Sequence, residues 1–565
     1  MTIPERHKKY KEKEPFDTIN TIREKLTEVN IETTEGGFCY ENPGVFCSRI
    51  TFGDDKLYRY DIGASGKGMT MRYAMASGYA EFMERLQNGI LIPRPVNALA
   101  YCGEETTLTT EEKQERESCG CALSYLYAPD EVWMKADEIS DECREVLAAM
   151  LSIPQNMVGA FLDDIFEGKK ALFAPFMDVR TDKTVLLPVY FVIMFTGSNG
   201  MCAGNTRAEA IIQGLSEIYE RYAQFLIFRD NPVIPRIPKE LFEKEEIYRK
   251  LSILEGFDFQ YDILDLSMGK GLPVIGLRLT RPDDGATAFR IGADPSPITA
   301  LERCLTELFQ CNEEDLERKF TKNPCKEYSP QMTEGEMKKF LANFQDISNM
   351  GIGLWPSNMH GTLSGTFKGF DHPVTRSNED DLEYMIGVAE KLGRTVYIRD
   401  NSILGFPSFF LLIPGLSEVD YNAFGNNRLE QIRLEYRFEN RITEIINILD
   451  ADEKTLEELR SVIISYYQIN EVNAVPVSHW IPPGCDLDKV FTDPMELTKY
   501  VSGSRRYREH VKKRAEGHSA SCPDCSCCNF KNQCSLKVFA RIAHDLQEKA
   551  THRSISNNTI SEEQP

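Results

Sequence analysis

Residues 66–86 read GKGMTMRYAMASGYAEFMERL, and residues 202–222 read CAGNTRAEAIIQGLSEIYERY. The two stretches align without a gap at two glycines, a threonine, an alanine and a Glu-x-x-Glu-Arg ending. The aligned pairs are Gly68/Gly204, Thr70/Thr206, Ala74/Ala210, Gly78/Gly214, Glu81/Glu217, Glu84/Glu220 and Arg85/Arg221. A looser third copy at 292–310 reads GADPSPITALERCLTELFQ, with Ala300, Glu307 and Gln310 at matching positions. This register indicates one structural unit that is used three times.

Each copy predicts a glycine-containing turn, a helix start at Thr or Ser-Pro, and a helix of about four turns. The Glu-x-x-Glu residues are spaced i and i+3, so they share one face of the helix. A residue at i−4 from the first glutamate lies on that face too. These pairs are Ser77/Glu81, Gln213/Glu217 and Arg303/Glu307. The sequence therefore predicts that three helices present polar columns to one cleft.

Converging carboxylates repel one another unless cations neutralise them. Magnesium prefers hard oxygen ligands and commonly bridges carboxylates to phosphates, while arginine suits the phosphates themselves. Arg221 and Arg303 are the candidate phosphate contacts. A single Glu-x-x-Glu-Arg motif often lies on the solvent-exposed face of a helix. Solvent exposure alone, however, does not explain why the preceding Gly, Thr and Ala also align between the copies. A structural duplication without a site stays open.

Composition limits the classes of function. The chain has 565 residues, enough for two to four domains or one large domain with an appendage. Its net charge of −22 disfavours direct binding to nucleic acid and anionic membranes. The N-terminus lacks the apolar core of a signal peptide, and no run approaches the roughly 18 apolar residues of a membrane span. We expect a cytoplasmic protein whose 16 cysteines are mostly reduced.

Alternation of helical and apolar stretches predicts an α+β fold. The spacing of apolar residues predicts a helix at 18–30, and the polar composition of 103–120 predicts a surface loop. Strands are predicted at 45–51, 57–62, 185–196, 273–280 and 409–413. The pattern changes near 428 to two amphipathic helices, then becomes basic and cysteine-rich after about 500. The predicted organisation is a domain of mixed sheets and helices at 1–427, a helical region at 428–500 and a tail at 501–565.

The repeated motifs resemble those of the YcaO family. The most specific stretch is SNGMCAGNTRAEAIIQGLSEIYER at 198–221, and the resemblance extends over roughly 10–425. It implies an ATP- and Mg²⁺-dependent domain that phosphorylates a peptide amide oxygen so that a nucleophile can attack. By matching motifs, the implied magnesium ligands are Glu81, Glu217, Glu220 and Glu307. The implied nucleotide contacts are Ser77, Glu84, Asn205, Glu209, Arg221, Arg303 and Gln310, with Lys11 and Thr18 matching a family Lys/Ser pair by spacing. An ordinary surface lysine and a helix N-cap are the alternative for that last pair.

The chain departs from the azoline-forming members, which end in a Pro-x-Pro-x-Pro tail, because it ends SEEQP. The likeness is therefore to the stand-alone members, associated with β-methylthiolation of a small-subunit ribosomal protein. The implied function is amide activation of the thioamidation type, or assistance of that methylthiolation. A non-catalytic ATP-binding accessory protein is the alternative. The implied partners are a peptide or ribosomal protein, and a radical methylthiotransferase or sulfur-delivery protein. A homodimer is compatible with the sequence, which does not identify the oligomeric state, and no catalytic acid or base is identified.

The tail contains a cysteine cluster, HSASCPDCSCCNFKNQC at 518–534. Cys522, Cys525, Cys528 and Cys534 have a spacing that suits Zn²⁺ or an iron–sulfur cluster. A thiol or persulfide relay and a set of plain reduced thiols are the alternatives.

Overall fold

The computed structural model describes residues 11–91 and 130–418, together with 542, 545, 546 and 549. Within the two long ranges, residues 42, 55–61, 167, 169, 312, 365, 366, 368 and 371–376 are not included. The predicted loop at 103–120, the helical region at 428–500 and the cysteine cluster with Cys522, Cys525, Cys528 and Cys534 lie outside the described residues, as does nearly all of the predicted strand at 57–62. The predicted domain boundaries therefore stay predictions.

The described chain alternates helices and strands, as the sequence predicts. Its first part contains α1 (Pro15–Thr27), β1 (Thr33–Tyr40), β2 (Val45–Phe52), β3 (Gly63–Gly68), α2 (Met71–Gln87), β4 (Val132–Met134), α3 (Asp141–Leu151), α4 (Gln155–Phe166), β5 (Ala171–Asp178), β6 (Thr184–Pro188), α5 (Val189–Thr196) and β7 (Met201–Ala203). Its second part contains α6 (Arg207–Asp230), β8 (Pro235–Ile237), α7 (Glu246–Glu255), β9 (Gln260–Asp265), β10 (Val274–Thr280), β11 (Thr287–Ala293), α8 (Pro297–Leu308), α9 (Glu313–Lys319), α10 (Glu334–Met350), β12 (Leu363–Ser364), α11 (Asn378–Lys391), β13 (Tyr397–Asp400) and β14 (Ser408–Leu412).

Three sheets organise these strands. One has the antiparallel order β1-β2-β3, the second has the order β11-β10-β9-β8-β12, and the third has the order β4-β5-β13-β14-β7 with β6 paired to β5. All the strand pairs are antiparallel except β8–β12. The predicted α+β class is confirmed.

The repeat proves to be a strand, an N-cap and a helix. Thr70 and Thr206 cap α2 and α6 through their side chains, and Ser296 followed by Pro297 begins α8. The predicted glycine turn occurs only in the second copy, where Gly204 lies in the connection between β7 and α6, because Gly68 and Gly292 belong to strands. A Cβ on Gly68 would lie 2.7 Å from the Ala74 nitrogen, and a Cβ on Gly204 would lie 2.7 Å from the Ala210 nitrogen. Close strand-to-helix packing therefore explains why glycine and alanine keep their register.

The apolar run at 185–196 is the second correction. The sequence predicts one buried strand, but the strand ends at Pro188 and a helix begins at Val189. An uninterrupted apolar run suits a buried strand or a buried helix equally well. Pro188 lies at the N-cap, where its missing N–H costs nothing, and Gly197 ends the helix with a φ of 57°.

Each repeat helix is anchored in a different hydrophobic cluster. Tyr79 and Phe82 of α2 belong to the first cluster, Leu215 of α6 to the second, and Leu301 and Leu305 of α8 to the third. Because each helix buries its apolar face in its own cluster, the three polar faces are left to line a common space. Among the described residues no single helix is long and apolar enough to cross a membrane; only the pair α3–α4, bent by 86°, has that length and composition together.

Candidate functional site

The common space is a cavity of about 690 Å³. It is lined by α2, α6 and α8, by the segment before α1, and by parts of β2, β3 and β11. Every predicted magnesium or nucleotide residue lines it: Lys11, Thr18, Ser77, Glu81, Glu84, Asn205, Glu209, Glu217, Glu220, Arg221, Arg303, Glu307 and Gln310. The sequence therefore identified one surface that is assembled from residues almost 300 positions apart.

The first two copies repeat one ion pair. Arg85 Nη2 lies 2.5 Å from Glu81 Oε1, and Arg221 Nη2 lies 3.2 Å from Glu217 Oε1. The Arg221 guanidinium also donates to the Ser348 carbonyl oxygen at 3.0 Å. An i, i+4 relation thus places a guanidinium beside the first glutamate of both motifs.

In the third copy, the cation beside the glutamate comes from a different element of the fold. Its glutamate, Glu307, pairs with the Lys67 ammonium of β3. Arg303 Nη1 donates to Gln213 Oε1 at 2.6 Å, which joins equivalent positions of α8 and α6. Gln310 Nε2 donates to the Ser65 carbonyl oxygen at 3.0 Å. These contacts hold the three repeat units around the cavity.

The carboxylates carry more negative charge than their cations neutralise. Burial and the nearby Glu217 raise the pKa of Glu84 well above its usual value, and burial raises the pKa of Glu81. Burial and Glu307 raise the pKa of Glu220 to about 8. Burial also opposes ionisation of Glu307, but the Lys67 and Arg303 charges outweigh it and lower the pKa of Glu307. An added cation would therefore be bound favourably here.

The donor set fits a magnesium–nucleotide complex for which the carboxylates exchange their present partners. Hard carboxylate oxygens are the ligands that Mg²⁺ prefers. The buried Nε of Arg303 has no hydrogen-bond partner, so it is available to donate to an anion. However, within the described ranges no three His, Cys, Asp or Glu side chains already form a metal-binding group. Glu81, Glu217 and Glu307 are each engaged with their own cation, so side chains must exchange partners when a metal ion binds.

A second polar cluster lies where the N-terminal segment crosses the start of α6. Lys11 Nζ lies 3.1 Å from Glu209 Oε1, and the Glu12 amide donates to Glu209 Oε2 at 3.2 Å. Asn205 Nδ2 donates to Glu209 Oε1 at 3.0 Å, and Thr18 Oγ1 donates to Asn205 Oδ1 at 2.8 Å. Burial opposes ionisation of Glu209, but Lys11 and the amide donors lower its pKa below the usual value. Lys11 and Thr18, which matched the family pair by spacing alone, thus contact Glu209 and Asn205 of the stretch 198–221.

Sequence reasoning missed several polar residues that line the cavity, among them Lys67, Arg290 and Asp294. Lys67 stands where the other copies have Ala203 and Ala293, so a position that breaks the repeat was the available signal. Arg290 lies within β11 and is 8% exposed. Burial raises the pKa of Asp294 to about 6. No sequence pattern marks these last two, because only the fold brings their side chains to the cavity.

Comparisons with known proteins identify similar sequences. A family model for YcaO cyclodehydratases, described as ATP- and Mg²⁺-binding, matches residues 65–417. The chain is 26% identical over 414 residues to the ribosomal protein S12 methylthiotransferase accessory factor YcaO of Escherichia coli K12, covering 71% of this chain and 65% of that protein. It is 25% identical over 438 residues to an uncharacterized protein of Haemophilus influenzae, covering 73% and 67%. The chain thus spans about two thirds of these relatives.

Two solved structures share lower identity. A heterocyclase in complex with substrate and cofactor is 18% identical, with a TM-score of 0.44 and coverage of 74% of this chain and 54% of that one. YcaO from Methanopyrus kandleri bound with AMPPCP and Mg²⁺ is 17% identical, with a TM-score of 0.41 and coverage of 74% and 96%. At these TM-scores, no residue role is transferred from either structure.

Proposed function

This chain belongs to the YcaO family, and from that premise we propose that it binds ATP with Mg²⁺ in the 690 Å³ cavity and uses the nucleotide to activate a backbone amide of a peptide or protein. The single observation that carries the proposal is the convergence of three repeated carboxylate motifs on one cavity that also holds Arg221 and Arg303. A space in which an excess of carboxylates lies beside arginines suits a metal-bound polyphosphate.

The charge of each cavity residue suggests its role in binding the metal ion or the nucleotide. Glu81, Glu217, Glu220 and Glu307 would hold Mg²⁺. Arg221 and Arg303 would bind phosphate oxygens, since a guanidinium matches them in charge and geometry. Lys11, Thr18, Asn205 and Glu209 already form one hydrogen-bonded cluster and would orient the nucleotide from the other end. Ser77, Glu84 and Gln310 complete the lining between them.

When bound, Mg²⁺ would neutralise phosphate charge as the γ-phosphoryl group leaves ADP. The amide oxygen is the acceptor in the proposed reaction, and its phosphorylation makes the amide carbon electrophilic. A sulfur nucleophile would then attack that carbon, and inorganic phosphate would leave, giving a thioamide. The chain's part is to bind, to orient and to neutralise charge, which is how most phosphoryl-transfer catalysis is achieved.

The name of the Escherichia coli relative favours a second candidate function. In it, the same cavity binds ATP to gate docking on a ribosomal protein or a radical methylthiotransferase, and the chain performs no chemistry. Both candidates need the cavity, so mutation of the nucleotide site alone does not separate them.

Turnover separates the two candidates. Purified protein is mixed with Mg²⁺ and ATP, with and without overlapping peptides that cover ribosomal protein S12, and phosphate release is measured. Amide activation predicts ADP and phosphate formation that rises with an accepted peptide. Tight Mg²⁺-dependent ATP binding without turnover, together with ATP-dependent binding of the methylthiotransferase, would instead support the accessory role.

A further inference from the structure

Lys67 of β3 lines the cavity at a position where the other two copies of the repeat have alanine. The glycines on either side of it pack against α2. A Cβ on Gly66 would lie 2.0 Å from the Ala74 carbonyl oxygen, and a Cβ on Gly68 would lie 2.7 Å from the Ala74 nitrogen. Successive side chains of a strand point to opposite faces, so Lys67 leaves β3 on the face away from α2 and reaches Glu307. The backbone that carries this lysine is therefore tightly packed, while its side chain extends into the cavity.

The charge of Lys67 acts on one carboxylate from each of the three repeat helices. Its ammonium is paired with Glu307 of α8, and the two side chains are only 23% and 22% exposed. Burial opposes ionisation of Glu307, but Lys67 and Arg303 outweigh it and lower the pKa. Burial raises the pKa of Glu81 in α2 and raises that of Glu220 in α6 to about 8, and the Lys67 charge offsets part of both effects. One positive charge therefore lies where the three motifs converge.

Lys67 differs in origin from the arginines of the motifs. Arg85 and Arg221 each pair with the glutamate four residues earlier on their own helix. Lys67 instead joins a strand of the first copy to the helix of the third copy. If Glu307 serves as a metal ligand, Lys67 loses its partner, and an ammonium without a counter-charge is unfavourable in a partly buried cavity. A nucleotide phosphate bound in the same cavity is an anion that can replace the carboxylate.

We propose that Lys67 is a catalytic residue of the phosphoryl transfer: its ammonium takes the position of the metal ion in the ligand-free chain and, once Glu307 is a metal ligand, binds oxygens of the transferring phosphoryl group. The second half of this inference rests on the proposed function, whereas the first half does not. Lysine suits both positions, because its ammonium is a compact charge with three donors on a flexible stem. A cation placed at the oxygens of the transferring group stabilises the charge of the transition state.

The step balances without a proton transfer at Lys67. The bond between the γ-phosphorus and the oxygen of the β-phosphate breaks, and its electron pair stays on ADP. A lone pair of the amide oxygen forms the new P–O bond, and the resulting cation releases its N–H proton to water. Lys67 stays protonated throughout and contributes charge and hydrogen bonds only.

The first test measures metal binding without nucleotide. Mn²⁺ is titrated into the full-length protein, and the free ion is followed by electron paramagnetic resonance. Lys67→Met removes the competing ammonium, so Mn²⁺ should bind about tenfold more tightly than to the wild type. Lys67→Arg keeps the charge and should stay within about threefold of the wild type. The gain should disappear in a Glu307→Gln background, where the ammonium no longer competes for that ligand.

Lys13→Met is the matched control, because Lys13 is an exposed lysine that lines the same cavity. Its affinity for Mn²⁺ should stay within about twofold of the wild type. A lysine that only stabilises the fold predicts weaker or unchanged Mn²⁺ binding in Lys67→Met. That result, or an equal gain in Lys13→Met, would contradict the metal position of the ammonium. If Lys67→Met does not fold by circular dichroism, Lys67→Gln takes its place in both tests.

The second test compares turnover with nucleotide binding for the same variants. With Mg²⁺ and ATP, phosphate release by Lys67→Met should fall about 100-fold. The dissociation constant for ATP should stay within about threefold, because in the wild type the contact with phosphate replaces the contact with Glu307. Equal losses of affinity and turnover, or turnover at the wild-type rate, would overturn the catalytic role alone. A wild-type chain that binds ATP and does not turn it over would contradict the proposed function, and the Mn²⁺ titrations then decide the position of Lys67 by themselves.

Discussion

Two polar clusters line the same cavity and differ in how their charge is balanced. At the N-terminal cluster (Lys11, Thr18, Asn205 and Glu209), donors satisfy the carboxylate and its pKa is lowered. At the carboxylate cluster (Glu81, Glu84, Glu217, Glu220 and Glu307), burial and mutual repulsion raise the pKa of Glu81, Glu84 and Glu220. In the N-terminal cluster the carboxylate charge is already balanced by donors, whereas an added cation would stabilise the ionised carboxylates of the carboxylate cluster.

This difference separates two contributions to binding. The side chains of the N-terminal cluster are already held by hydrogen bonds, so little further conformational entropy is lost when a ligand binds there. The carboxylate cluster must change partners, and it supplies the dependence on metal. Mutations in the two clusters should therefore have effects of different size and different dependence on Mg²⁺.

The largest effect is expected from Glu217→Gln, which removes a proposed ligand charge and the partner of Arg221. Affinity for ATP measured by calorimetry at saturating Mg²⁺ should fall about 100-fold or more. The matched control is Glu314→Gln, which removes the same charge from an exposed position on α9. Unchanged Mg²⁺-dependent binding in Glu217→Gln, with the control normal, would refute the proposed metal site.

How far the sequence could predict this comparison depends on what each residue does locally. Glu81 and Glu217 were predictable because a repeat preserved their spacing on one helix face. The contrast between the raised pKa of Glu81 and the lowered pKa of Glu209 was not predictable. The pKa of a carboxylate depends on burial and on charges brought from distant segments, such as Lys67 for Glu307 and Lys11 for Glu209.

Prediction of the fold from the sequence was limited in the same way by tertiary context. The strands at 45–51, 273–280 and 409–413 and the helix near 18–30 are confirmed, with boundaries that shift by only a few residues. They have a clear apolar period or clear β-branched runs. The segment 185–196 has neither a polar face nor a period, so only tertiary packing decides where its strand ends and its helix begins.

A smaller effect is expected at the N-terminal cluster. Lys11→Met removes one of several donors to Glu209, while Asn205 and the Glu12 amide remain. ATP affinity should fall about fivefold. The loss should be the same at low and high Mg²⁺, in contrast to Glu217→Gln. Lys270→Met, at an exposed loop position, is the control. A loss that disappears at high Mg²⁺ would show that Lys11 belongs functionally to the carboxylate cluster.

The smallest effect concerns stability without ligand, and its sign follows from the raised pKa values. The folded chain holds protons on Glu84 and Glu220 at pH values where the unfolded chain has released them, so folding free energy is lost as pH rises from about 4.5 towards the raised pKa of Glu220 near 8. Glu307, whose pKa is lowered, contributes stability that is present above about 4.5 and is lost only in stronger acid, so the two effects occupy different ranges.

Thermal unfolding by circular dichroism should therefore show the ligand-free midpoint falling by about 5 °C between pH 5.5 and 8. Glu84→Gln removes one buried charge without changing the shape of the side chain, so it should flatten this dependence while weakening ATP binding. Mg²⁺ with ATP should restore the midpoint at pH 8 in the wild type more than in Glu84→Gln, because binding replaces the protons that the carboxylates lose. A midpoint that rises with pH in the wild type would contradict the view that the carboxylate cluster is short of cations.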